Sequence, residues 1–250
     1  MPKQKPIAPP SKSRNVFTDI WYFLLKSPKS KTLIRFRTKD QRQNYNERIL
    51  QRFGIESDEY SVLNIHQIGV NTPVSYMFNE LLHWDGDSTC WPNHIARVDR
   101  VNDQLEDIRI LLFGKTKHPL GLNCILRWTN LIPLFRLKVR NFKKDPDSFD
   151  FDNARYLLYD CSGGYPIGFF VMYVRSPIAD MGEVCPSQLF FIVGFNFYGK
   201  KNFDRIHFIH KIWQAIHNRV TTNVLNRMKQ LGEWRLEHLR EKYQDSSKYF

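Results

Sequence analysis

At 250 residues with 42% hydrophobic content, the chain is long enough to bury a substantial core as one domain with an extension, so it needs no covalent or metal staples. Its four cysteines, Cys90, Cys124, Cys161 and Cys185, lie far apart and form no CxxC pair, which argues against a zinc finger or a disulfide framework and fits a reducing cytoplasm. The net charge of +12 is uneven: residues 1–52 carry 13 basic against 3 acidic side chains, residues 53–203 carry 15 against 17, and residues 204–250 carry 9 against 5. The basic character is thus appended to a slightly acidic body instead of covering a folded face that would meet phosphates, and no specific nucleic-acid partner is expected.

In chain order, residues 1–15 combine proline with like charges and read as a disordered basic tail. Residues 16–60 read as a helical basic extension, with a short helix over 16–25 and a highly charged one from Ser30 to Phe53, ending near Gly54. The apolar run Val16 to Leu25 is about half the roughly 20 residues a membrane span needs and contains Asp19. A Pro/Lys leader before it and Lys26-Ser-Pro-Lys-Ser-Lys31 after it make it a poor signal peptide.

The body begins at Ser61. Val62 to Gly69 has the composition of a strand, and Asn71-Thr72-Pro73 then supplies a cap followed by proline at a first helical position, opening a helix over Val74 to His83. Asp85-Gly86-Asp87 breaks that helix, and Ser88 to Pro92 reads as a turn or short second helix. Further strands are expected at His94 to Val101, Leu105 to Phe113, Ile132 to Asn141, Ala154 to Cys161 and Tyr165 to Arg175. Ser162-Gly163-Gly164 suits the tight turn between the last two. In the final strand, Gln188 to Tyr198, Leu189, Phe191, Val193, Phe195 and Phe197 share one face. Beyond Gly199, Ile209, Ile212, Trp213, Ile216, Val220, Val224 and Met228 recur at helical spacing, so a helix of about thirty residues presents one apolar stripe to that strand face.

This order of elements, ending in an aromatic strand and a long helix, resembles the START-like (SRPBCC, helix-grip) superfamily of lipid-transfer domains, pollen-type allergens and polyketide aromatase/cyclases. The resemblance implies an α+β fold in which a seven-stranded antiparallel curved sheet wraps around the C-terminal helix. It covers residues 61–241 and leaves 242–250 as a C-terminal tail. It also implies a ligand space between sheet and helix for a hydrophobic or amphipathic small molecule or lipid, with no cofactor. Carried onto this chain, the lining would come from Tyr159, Tyr173, Phe191, Phe195, Trp213, Ile216 and His217, with His94 on a predicted strand as a further ligand-binding residue. A solid core of the same residues is the simpler alternative. An enzyme of the polyketide cyclase or hydrolase kind would draw its acid or base from His66, His94, Asp99 or Asp160.

Three features stand outside that frame. The strand ending at Arg175 is apolar on both faces, with Phe169, Val171 and Tyr173 on one and Phe170, Met172 and Val174 on the other, so the outer sheet surface needs a cover. The helix bearing Phe17, Ile20, Trp21 and Leu24 is the favoured cover, and a homodimer through that face is the alternative. The same arm could instead touch a membrane surface as an interaction module, with Phe17 and Trp21 inserted and Lys26, Lys29 and Lys31 facing anionic lipid. Asp204, His207, His210 and His217 have spacing that could hold a metal, but no second ligand set accompanies them and no metal site is assigned. Cys161-Ser162-Gly163-Gly164 lacks the GxSxG pattern of a nucleophile elbow and reads as a turn.

Overall fold

Thr38 opens the first described helix, α1 (Lys39–Leu50): its hydroxyl accepts the Gln41 N–H at 3.2 Å, which satisfies one of the amides left unpaired in a first turn. The computed structural model describes Trp21, Leu25 and residues 31–56, 60, 62–82, 95–100, 107–112, 136–139, 153–162, 167–177, 186–196 and 207–246; within 95–100, 107–112, 136–139, 160–162, 207–210 and 243–246, and at 167 and 213, it describes the backbone alone. Helix α1 runs into a 3-10 turn, Gln51–Phe53, and Gly54 then reverses the chain at φ 62°, a left-handed conformation that costs glycine nothing. The Ile55 N–H returns to the Leu50 carbonyl at 3.2 Å, and Ile49, Leu50, Phe53 and Ile55 are brought together as one buried knot.

The remaining elements are β1 (Val62–Val70), α2 (Val74–Leu82), β2 (Ile95–Arg100), β3 (Asp107–Leu112), β4 (Arg136–Val139), β5 (Ala154–Ser162), β6 (Ile167–Arg175), β7 (Ser187–Asn196) and α3 (His207–Ser246). The strands form one antiparallel sheet in the order β1-β7-β6-β5-β4-β3-β2, which is a run of sequential hairpin neighbours closed by pairing the last strand with the first. The fold is therefore α+β, an antiparallel sheet with a C-terminal helix. Side chains are described on four of its strands, β1, β5, β6 and β7.

Strand alternation sorts those side chains onto two faces, both buried. On the inner face Ile68, Val70, Tyr159, Met172, Val174, Leu189 and Phe191 meet Met77 and Leu81 of α2 and Val224, Leu225 and Met228 of α3. The expected apolar contact between the last helix and the aromatic strand is thus present, but α3 is longer than its floor. At 40 residues and about 1.5 Å per residue it extends well beyond the stretch Thr221 to Gly232 where most of its buried residues lie. The stripe read from the sequence divides accordingly: Val224 and Met228 are buried, while Ile212 and Ile216 are 45% and 41% exposed. Gly232 lets α3 approach α2, since a Cβ there would sit 3.0 Å from Met77 Sδ. Arg235 pairs with Glu80, Lys229 Nζ donates to the Gly69 carbonyl at 2.7 Å, and the Asn71 N–H donates to Glu233 at 2.8 Å, so the register of α3 on the sheet is fixed by polar contacts at its edge.

The outer face carries Leu63, Ile65, Leu158, Phe169, Val171, Tyr173, Phe190 and Ile192, covered by Ile49, Leu50, Phe53 and Ile55 with Ile34 and Tyr45 alongside. A cover is expected, and the charged α1 and its turn lie on the sheet. Of the helix expected there, Trp21 is 65% exposed and the neighbouring Leu25 58% exposed, while Phe17, Ile20 and Leu24 lie outside the described residues. Part of the outer surface, for which a homodimer is the alternative cover, is occupied by residues of the chain itself. A close approach reinforces this side: Gly194 lies under the Phe169 ring, where a Cβ would meet Cε1 at 2.3 Å, and a Cβ on Gly168 would meet the Gly194 carbonyl oxygen at 1.9 Å.

Candidate functional site

Strand β1 places Val62, Asn64, His66, Ile68 and Val70 in phase on the inner face, so two polar side chains stand where alternation demands apolar ones. Helix α3 answers them with Gln214, His217, Asn218, Thr221 and Thr222, spaced to recur on one side of a helix. Gln214 Nε2 donates to Asn64 Oδ1 at 3.0 Å, and His66 Nε2 lies 3.1 Å from Asn218 Oδ1. The segment around Leu33 adds to the free edge of β1, with the Ile34 N–H on the Ile65 carbonyl at 3.0 Å and the Gln67 N–H on the Thr32 carbonyl at 2.8 Å. That edge carries the Thr32 hydroxyl to 2.9 Å from His66 Nδ1 and 2.9 Å from the Thr222 hydroxyl.

Burial drives the electrostatics. Desolvation pushes the His66 pKa down to about 4 even though its bond to Asn218 opposes the shift. A neutral ring has one N–H, so Nε2–H donates to Asn218 Oδ1 and Nδ1 carries no proton. Desolvation likewise holds His217 down to about 4, with His66 as the lesser cause. Its ring lies 5.7 Å from that of Phe195, and its Nδ1 is 3.5 Å from the Thr221 hydroxyl. Both imidazoles are uncharged at neutral pH and weakly basic, which suits hydrogen bonding to a guest better than proton abstraction. Asn64 Nδ2 is buried without a hydrogen-bond partner among the described residues, an expensive condition for an amide N–H.

An aromatic row continues from this polar cluster. Phe170 stacks with its cross-strand partner Tyr159 at 6.1 Å and meets Phe191 edge-on at 5.1 Å, and it also contacts the group formed by Val62, Val193 and Phe195. Of the lining residues expected from sequence, Tyr159, Phe191, Phe195 and His217 do share the helix-facing side. Tyr173 does not. Its ring packs on the outer face against Phe53 and Phe190 at 5.3 Å each, and its hydroxyl accepts from Arg52 Nη1 at 2.9 Å. Ile216 is on the exposed part of α3, and His94 and the Trp213 side chain lie outside the described residues.

Phe17, Lys26 and Lys29 also fall outside the described residues, while Trp21 and Lys31 are exposed. Asp204 and the side chains of His207 and His210 are undescribed as well, as are Gly163, Gly164 and the side chains of Asp99 and Asp160. Among the described residues no helix is long and apolar enough to cross a membrane. Asn64, Gln214, Asn218, Thr222 and Thr32 were not anticipated. The signal for Asn64 is its phase with Val62 and Ile68; Thr32 gives none, because its pairing to β1 joins segments with no hairpin between them.

No protein-family model matches the chain, and no curated protein matches its sequence. In structure it is similar to the Zhui aromatase/cyclase from Streptomyces sp. R1128, at 14% identity and a TM-score of 0.43, covering 70% of this chain and 95% of that one. It is also similar to a Polyketide_cyc-like protein from Corynebacterium glutamicum, at 10% identity and a TM-score of 0.33, covering 72% of this chain and 94% of that one.

Proposed function

We propose that the chain is a helix-grip, START-like binding protein that takes a hydrophobic or amphipathic small molecule between the inner sheet face and the N-terminal half of α3. The observation that carries this is the unsatisfied Asn64 Nδ2 beside the uncharged imidazoles of His66 and His217, at the end of the row Tyr159, Phe170, Phe191 and Phe195. A guest carbonyl or hydroxyl oxygen accepting from Asn64 would satisfy that amide, and its apolar part would lie along the aromatic row. Among the described residues the cluster holds no charged group, which favours a neutral polar end on the guest.

Native mass spectrometry of the freshly purified full chain tests this. A bound species of small-molecule mass is expected, and Asn64→Leu, which fills similar space without the amide, should reduce its occupancy. A wild-type spectrum showing only the bare chain, together with no uptake of fatty acid or aromatic polyketide probes, would refute the proposal.

A further inference from the structure

On the opposite side of the sheet, three guanidinium groups converge without a counterion among the described residues. Arg175 ends β6 at 9% exposure, donates Nε–H to Gln188 Oε1 at 3.0 Å and lies 4.9 Å over the Phe190 ring. Its two Nη groups have no partner among the described residues. Phe190 leads to Tyr173 at 5.3 Å, and the Tyr173 hydroxyl receives Arg52 Nη1 from the turn after α1. One turn earlier, Arg48 sits 5.8 Å over the Tyr45 ring, exposed and making no ion pair among the described residues. Burial raises the Tyr45 phenol, and Arg175, Arg48 and Arg52 each pull it back, so all three cations lie within electrostatic reach of that one hydroxyl. The nearby α1 carboxylate, Glu47, accepts from Gln43 instead.

Like charges gathered in a partly desolvated place repel one another, and among the described residues no acid pairs with these three. From this arrangement we infer that Arg48, Arg52 and Arg175, with the hydroxyls of Tyr45 and Tyr173, form an anion site at the junction of α1 and β6 that takes a phosphoryl group. Forked guanidinium donors and two phenolic O–H groups match the several acceptor oxygens of a phosphate monoester, and three positive charges suit a dianion. The site lies on the face of the sheet away from the proposed small-molecule site, so either can fail without the other. Its ligand would bridge the covering helix to the sheet and thereby tighten the cover.

The phosphoryl group could belong to a lipid headgroup or to a free phosphate compound, and two arms separate these. Thermal melting of the full chain is followed in inorganic phosphate against chloride of matched ionic strength, and sedimentation is followed with phosphatidylcholine vesicles with and without phosphatidic acid. The melting temperature should rise further in phosphate than in chloride, and Arg48→Gln should weaken the apparent phosphate affinity roughly tenfold, as expected for one charge-assisted contact. Arg175→Met, which keeps the packing over Phe190, gives a second variant with the same expectation. Sedimentation with phosphatidic acid that Arg48→Gln abolishes would identify a headgroup; a phosphate response without it would identify a free phosphorylated ligand. A phosphate response kept in full by both variants is a general salt effect and overturns the inference, as does the lack of any response in both arms.

Discussion

Acidification should weaken the fold through His66, and the amount follows from its surroundings. The ring is fully buried, and its pKa stands near 4 against 6.5 for a free imidazole. Between these values the unfolded chain binds a proton that the folded chain refuses. Stability from this group is therefore complete above about pH 6.5 and is lost as pH falls toward about 4. From about pH 7.5 to about pH 5 one such group accounts for about 2 kcal/mol, or about 4–8 °C in Tm for a domain of this size. His217 has the same sign and adds its own loss, so wild type alone does not isolate His66. His66→Gln, which retains an N–H for Asn218, does so by difference: its Tm should fall less over that interval by the stated amount, whatever its stability at neutral pH. Chemical denaturation at each pH gives the same quantity as a free energy. Equal pH slopes for wild type and His66→Gln would show that His66 is not held neutral by burial, and the electrostatic account of the inner site would go with it.

Phe53→Ala should cost about 3–5 kcal/mol in denaturant unfolding, because it empties a fully buried position between Tyr156 and Tyr173, and amides of α1 should lose hydrogen-exchange protection. Gly194→Ala drives a methyl group into the Phe169 ring and should cost about 1–3 kcal/mol by the same assay. Gly168→Ala should cost more than Gly194→Ala, since its clash is with a carbonyl oxygen of the neighbouring strand, which cannot rotate aside. Arg235→Ala should cost less than about 1 kcal/mol, because solvent reaches the pair with Glu80, and a larger loss on denaturant unfolding would mean that this contact holds α2 to α3.

What could be read from the sequence was what periodicity encodes. The period-two aromatic pattern of β7 and the helical stripe of α3 identify two surfaces that must meet, and they do so through Leu189, Phe191, Val224 and Met228. Phe169, Val171 and Tyr173 separate from Phe170, Met172 and Val174 by the same rule. Alternation does not say which set faces the helix, because that depends on register between strands. Tyr173 pairs with Phe190 and so goes outward; Tyr159 pairs with Phe170 and goes inward. The part that α1 plays in the cover is hidden for a related reason. The apolar residues of α1 gather at its end and in the following turn instead of forming a stripe, so a helix that reads as charged hides a buried knot. The inner polar cluster unites residues more than 150 positions apart, and no local pattern announces such a meeting.

Among the described residues, α3 packs on one side of the four strands β5, β6, β7 and β1, and α1 with its turn packs on the other. The folding unit therefore starts at or before Thr32, some thirty positions ahead of the first long strand, since Thr32 itself threads into the inner network. A fragment trimmed to begin at Ser61 would bare Phe169, Val171, Phe190 and Ile192 as one continuous slab and would associate with itself before any guest could be assayed.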